Sequence, residues 1–323
     1  MIKNILLHIG LIFIFKIRNN YQVSIMKLTY YLFLILFLLT SCTKEVVIDL
    51  PDHEGKPVIN SLFSPDTLLC VHVSRSRVIT DTFFLQETAP VVVLKYAEKI
   101  DTLQSTSNGY YVSQNLVPQV ETRYTIEVFS MEHSKATASD KIPEEVPFEV
   151  INYIQEAGID VEGCNFSSII TRFSEPPGEK NYYEIKVVHE SNSGGKLRYE
   201  KLWLWSNDAV IRNEGYVNEV YDNLIFSDEL INGKSHTLTF NFYHFVDEKN
   251  ITSRFFIHFR SVSENYFLYK KKLILHFENQ FGDIWDGTGN PVNLYSNVEN
   301  GYGIFAGYSE NTDTVIVNEW TGK

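Results

Sequence analysis

Apolar and polar positions alternate in short runs along most of the chain, which is the period of strands whose two faces meet different surroundings. Val58 to Phe63, Leu68 to Ser74, Val91 to Tyr96, Tyr110 to Ser113, Tyr124 to Phe129 and Lys135 to Lys141 are β-branched or aromatic runs of strand length. Turn formers such as Ser64-Pro65-Asp66 and Ser107-Asn108-Gly109 separate them. That spacing predicts an immunoglobulin-like β-sandwich over 52–142. Pro143 and Pro147 cannot continue a central strand, so 143–147 reads as an extended linker. Beyond it, Ser167 to Phe173, Tyr182 to His189, Leu197 to Trp205, Thr237 to Phe245 and Arg254 to Arg260 resume the rhythm, with turns at Pro176-Pro177-Gly178 and Gly194-Gly195. The expected fold is mainly β: two β-sandwich domains, the second spanning 148–323.

One segment departs from this period. Val262, Tyr266, Tyr269, Leu273 and Phe277 recur at steps of three and four, which predicts one amphipathic helix near 262–280 in the second domain. Ser261 with Glu264 offers a capping box, and Gly282 a stop. Lys270-Lys271-Lys272 reads as the solvated face of that helix.

The N-terminal pattern is of another kind. Met26-Lys27 is followed by a run from Leu28 to Leu39 that is apolar or aromatic apart from Thr29, then by Thr40-Ser41-Cys42. A short basic region, an apolar stretch and small residues before a cysteine make a lipoprotein signal peptide, with 1–41 removed and Cys42 acylated. Twelve residues at ~1.5 Å each cover roughly 18 Å, short of the ~30 Å needed to cross a bilayer. The second apolar stretch, Ile5 to Phe15, is equally short, and translation is expected to start at Met26. Residues 42–51 then form a lipidated tether.

Removing residues 1–41, which hold Lys3, Lys16, Arg18 and Lys27 and no acid, takes the formal net charge from −12 to −16. A body of that sign without a basic stripe repels phosphate backbones, so nucleic acid is not an expected partner. Acylation of Cys42 leaves Cys70 and Cys164. In an oxidising compartment two readings stand, a disulfide between them or two isolated thiols.

The order of landmarks resembles a known family. The lipobox, Val58-Ile59-Asn60-Ser61-Leu62-Phe63-Ser64-Pro65-Asp66, and the late segment from Pro291 through Asn300-Gly301-Tyr302-Gly303-Ile304-Phe305 are similar to the lipoproteins of the domain of unknown function 4249 family. Between them fall Ile142-Pro143 to Val146-Pro147, Asn181-Tyr182-Tyr183, Phe226-Ser227-Asp228 with Asn232-Gly233, and Tyr266 to Tyr269. The resemblance implies an outer-membrane lipoprotein of Gram-negative bacteria, commonly encoded beside a TonB-dependent receptor, and supplies no catalytic residues and no cofactor. Asp66-Thr67-Leu68, Asp101-Thr102-Leu103 and Asp313-Thr314-Val315 look like the O-glycosylation acceptor of bacteria that carry this family, which would place sugars on Thr67, Thr102 and Thr314. Physically, Asn300-Gly301 and Gly303 suit a tight turn with positive φ, followed by a closing strand from Ile304 to Tyr308.

Enzyme signatures are missing: the chain has no Gly-x-Ser-x-Gly, no His-Glu-x-x-His and no phosphate loop, and His189-Glu190 meets Ser193 where a second zinc-binding histidine would stand. Asp283 and Asp286 before Gly287 and Gly289 lack the spacing of an EF-hand and read as a polar turn. The informative excess is aromatic. In one run Tyr199, Trp203 and Trp205 share a parity and Leu202 and Leu204 the other. With the leucines in the core, the aromatics are free for a protein partner or a sugar; the alternative is a strand buried on both faces. These features order the expectations: a non-enzymatic docking partner of a TonB-dependent receptor, then a carbohydrate-binding surface lipoprotein, then a hydrolase of unrecorded type.

Overall fold

The strand-forming runs pair into one long sheet that two shorter sheets back from one end to the other. The structure, a computed structural model, describes residues 54–78, 90–131, 134–193, 195–215, 220–243, 252–280 and 292–318. In chain order the strands are β1 (Pro57–Phe63), β2 (Cys70–Arg75), β3 (Val91–Tyr96), β4 (Lys99–Thr102), β5 (Gln104–Ser105), β6 (Tyr110–Val112), β7 (Arg123–Phe129), β8 (Ala136–Lys141), β9 (Phe148–Ile159), β10 (Asn165–Ser174), β11 (Tyr182–Ser193), β12 (Lys196–Lys201), β13 (Leu204–Trp205), β14 (Leu224–Ser227), β15 (Ser235–Phe242), β16 (Thr252–Val262) and β17 (Tyr302–Asn318). The helices are α1 (Ala209–Asn213) and α2 (Glu264–Gln280). The fold is mainly β with one long helix near its C-terminal end, as the hydrophobic periods require.

The long sheet runs β12-β11-β16-β17-β1-β2-β6-β5, with β14 also on β11. The sheet β4-β3-β7-β8 backs its N-terminal half, and Ile59, Val71 and Val73 meet Val92, Leu94, Ile126 and Val128 in one core. The sheet β13-β15-β10-β9 backs the other half, where Tyr183, Ile185, Phe255 and Phe259 meet Ile169, Phe173, Phe240 and Phe242 in a second core. Each inward set has strand alternation, so burial of one face fixes the register of each strand.

What joins the cores is β17. From Tyr302 to Gly307 it lies parallel to β1, and from Tyr308 to Asn318 antiparallel to β16. Phe305 fills the first core, whereas Ile304 and Ala306 on the opposite parity belong to the second. A strand far longer than the Ile304 to Tyr308 run was not foreseen, because its second half reads polar: Ser309-Glu310-Asn311-Thr312-Asp313-Thr314.

Its entry is tight. Asn300 has φ +56° and Gly303 φ +106°, as the turn reading of this motif requires. A Cβ on Gly303 would stand 2.0 Å from the Ile59 carbonyl oxygen, and one on Gly307 2.5 Å from that of Lys141. Only glycine lets the last strand approach β1 and β8 this closely.

Four expectations change. Leu197 to Trp205 is two strands, not one: β12 pairs with β11 in the long sheet and β13 with β15 in the backing sheet, so the chain changes sheets at Leu202-Trp203. The cap of α2 is Ser263, whose Oγ accepts from the Tyr266 amide at 3.2 Å, while Ser261 still belongs to β16. Phe277, expected on the covered helix face, is half exposed, because α2 buries only its first turns through Tyr266 and Phe267. The long strand β9 and the β4–β5 segment were missed; β9 is buried at no position, so it lacks a clean apolar alternation. Gly282 lies outside the described residues.

Replacing Gly303 by Ala should cost at least about 2 kcal/mol of unfolding free energy, since it adds positive-φ strain to a backbone clash. Gly195→Ala is the control: φ is +81° but nothing lies within 4 Å, so only the strain of about 1 kcal/mol remains. Urea unfolding of both variants measures the difference.

Candidate functional site

Where the linker passes between the two cores, the surface forms a groove of about 850 Å³. Pro143, Pro147, Pro176 and Pro177 line it, and their fixed φ makes its walls stiff. Lys141, Lys180, Tyr182 and the β16–α2 corner from Ser261 to Asn265 complete it. The Tyr182 hydroxyl donates to Glu264 at 3.0 Å. Burial, reinforced by that carboxylate, pushes the Tyr182 phenol well above its ordinary range.

Asp140, near the end of β8, also lines the groove and is buried. Its Oδ2 accepts from Ser263 Oγ at 2.5 Å and from the Gly307 amide at 3.2 Å, and its Oδ1 from the Lys141 amide at 2.9 Å. Burial pushes the carboxyl pKa up, and these hydrogen bonds offset only part of that rise. Ser263 caps α2, so one carboxylate ties β8, β17 and the helix start together. With its oxygens engaged in this way, Asp140 holds the junction.

Beside the groove, on the face of the long sheet that the start of α2 covers, charges stand in register: Glu184 on β11, Arg260 on β16 and Glu310 on β17. Arg260 Nη1 donates to Glu184 at 3.1 Å and to the Tyr266 hydroxyl at 3.0 Å, and Arg260 Nε donates to Glu310 at 2.5 Å. The Tyr266 hydroxyl donates onward to Glu184 at 2.7 Å, and Asn223 also donates to that carboxylate. Burial alone would raise the Glu184 pKa, yet Lys270, Arg260 and the two hydrogen bonds bring it below its ordinary value. For Glu310, burial is likewise outweighed, by a hydrogen bond with His258 at 2.7 Å and by the Arg260 charge, and its pKa falls to about 2.

The basic run on α2 is therefore not simply a solvated face. Lys270 lies 3.5 Å from Glu184 and Lys271 2.7 Å from the buried Glu214; Lys272 alone is exposed. Removing one partner of such a buried pair leaves a charge unpaired, typically at a cost of about 3–5 kcal/mol.

The aromatic candidates separate. Tyr199 and Trp203 are 60% and 61% exposed, with Leu202 and Leu204 buried as the parity requires. Trp205 instead packs between Phe166 and Tyr243, at centroid distances of 5.4 and 4.7 Å. His189 is buried against Phe255 and Ser253. Cys70 is exposed and Cys164 half-buried, and both are free thiols, so the bridge considered from sequence is not formed. Thr67, Thr102 and Thr314 are all exposed. Cys42, Asp283 and Asp286 lie outside the described residues.

Residues 43–314 match the family model described as Domain of unknown function (DUF4249). The chain belongs to this family. No curated protein matches it. For a member of the DUF4249 family, then, the junction is described by Asp140, Glu184, Arg260 and Glu310, none of which was singled out from sequence. The usable signal was a charge inside an apolar strand, as in Tyr183-Glu184-Ile185 and Phe259-Arg260-Ser261; its partner depends on cross-strand register, which only the tertiary fold sets.

The low Glu310 pKa makes stability depend on pH. In the unfolded chain the carboxylate takes up its proton near 4.5, in the folded protein only near 2. Between those values the unfolded state binds more protons, so this stabilisation is present above pH 4.5 and is lost as pH falls through the window. The urea midpoint of the native chain should exceed that of Glu310→Gln at pH 6, and the gap should shrink towards pH 2. A gap that does not change with pH would contradict the assignment.

Proposed function

We propose that this family member is an outer-membrane lipoprotein, held by an acyl chain on Cys42, that acts without catalysis as a docking partner of a TonB-dependent receptor. The basic, apolar, small-residue and cysteine order of residues 26–42 supports the anchor. The observation that carries the docking role is the exposure of Tyr199 and Trp203 beside a buried leucine pair, since aromatic anchors commonly dominate binding interfaces. Trp205, packed against Phe166 and Tyr243, is withdrawn from the docking set. The exposed threonines Thr67, Thr102 and Thr314 suit O-glycosylation of an exported surface protein.

Two measurements test this reading. Metabolic labelling with a clickable fatty acid should mark the native protein and not Cys42→Ala; equal labelling ends the lipoprotein reading. Tyr199→Ala with Trp203→Ala should change unfolding free energy by no more than about 1 kcal/mol, as surface positions do, and should abolish co-purification of the receptor. Retention of the receptor by the folded double variant contradicts the docking face. Failure of the native protein to bring down any receptor, together with retention on a polysaccharide affinity gel, would replace docking by sugar binding.

A further inference from the structure

The strand ends around the start of the described chain converge on one pole of the N-terminal sandwich. Pro57 pairs with Arg75, and the Ser76 amide donates to the Lys56 carbonyl at 2.9 Å. Val58 stands beside Tyr302. Asn300, just before Tyr302, donates from its side chain to the Lys135 carbonyl at 3.2 Å. Lys135 precedes β8, whose first residue, Ala136, pairs with Val128, and the next residue of β7, Phe129, stands opposite Val91.

This pole is apolar where a water-facing strand end is normally polar. Met131 is 90% exposed, Val91 51%, Tyr302 44% and Phe129 42%. Two ammonium groups stand over the two rings, Lys56 Nζ at 5.8 Å from the Tyr302 centroid and Lys135 Nζ at 5.9 Å from that of Phe129. Lys135 also reaches Glu127 at 2.8 Å, a carboxylate it shares with Lys95. Among the described residues of this pole, Lys56, Lys95, Lys135, Arg75 and the exposed Arg77 outnumber Glu54, Glu127 and Glu299, on a mature chain whose formal net charge is strongly negative. Exposed apolar side chains with cations beside them, on the outer faces of both sheets at this end, are what an interfacial surface needs, in which rings and a thioether enter the headgroup layer while lysines reach phosphates.

We propose that this pole rests on the headgroups of the bilayer that holds the protein's own acyl anchor. The proposal rests on acylation of Cys42. Glu54 is twelve residue steps along the chain from Cys42, and a chain of that length spans at most about 43 Å. The described chain starts at this pole, so the tether joins the body here, and the exposed apolar side chains and cations of the pole turn this end towards the lipid. An acidic body is repelled by anionic lipid, and this end, where cations outnumber acids among the described residues, sets its orientation. The C-terminal half, with Tyr199 and Trp203, is then held away from the bilayer.

The test uses the acylated, full-length mature protein in a Cys70→Ser, Cys164→Ser background, with a polarity-sensitive fluorophore on Met131→Cys or, for comparison, on Val161→Cys at the exposed β9–β10 turn. The probe membrane is phosphatidylcholine vesicles containing phosphatidylglycerol and a lipid with a nitroxide on its acyl chain. Emission from position 131 should shift to the blue and be quenched by the nitroxide, and emission from position 161 should do neither. Adding Lys56→Glu and Arg77→Glu should diminish the quenching at 131. Equal quenching at both positions, or none at 131 in protein shown by a clickable fatty acid to be acylated, overturns the membrane-facing pole and leaves the anchor standing. Absence of the acyl label overturns both.

Discussion

A single strand, β17, is a structural member of both halves of this protein. It pairs with β1 in the N-terminal half and with β16 in the C-terminal half, and its alternate side chains enter two different cores. β1 and β16 each leave the backbone groups of one edge unpaired until this late segment is in place, so neither sandwich has its full complement of strands before then. Residues His53–Lys323 accordingly form one compact unit around two hydrophobic cores. The glycines at 303 and 307 are the local condition for this arrangement, because a side chain there would push β17 off its neighbours.

Charge secures what the strand joins. Asp140 collects the cap of α2, the amide of Gly307 and its own strand end, and the Glu184–Arg260–Glu310 row ties β11, β16 and β17 across the sheet. Such groups are costly to bury, and their net contribution to stability is small unless every partner is present. Their consequence is geometric: α2 is fixed over the sheet beside the junction, and the stiff linker prolines define a groove there.

Legibility from sequence followed burial. Strands with one clean apolar face, such as Val91 to Tyr96 and Tyr124 to Phe129, were readable from alternation within a residue or so of their ends. Strands that gain their place from tertiary pairing were not: β9 is exposed or half-exposed along its length, and the second half of β17 is polar. The Leu197 to Trp205 run shows the limit of periodicity, since its parity was right for Leu202, Leu204, Tyr199 and Trp203, yet nothing in it marked the change of sheet that buries part of Trp205. At the junction the motif at 300–303 announced its positive φ, while the ion-pair partners waited on register. The family match over residues 43–314 agrees with the resemblance read from ordered landmarks, each of which is unspecific by itself.

If β17 is what unites the molecule, the two cores should open together. Native-state hydrogen exchange followed by mass spectrometry measures this directly, comparing β3 and β7 in the first core with β10 and β15 in the second. The shared strand predicts that the slowest amides of both sets exchange with the same opening free energy and the same dependence on urea. If the amides of β3 and β7 instead exchange through an opening that leaves β10 and β15 protected, the two sandwiches are independent domains and β17 does not couple them.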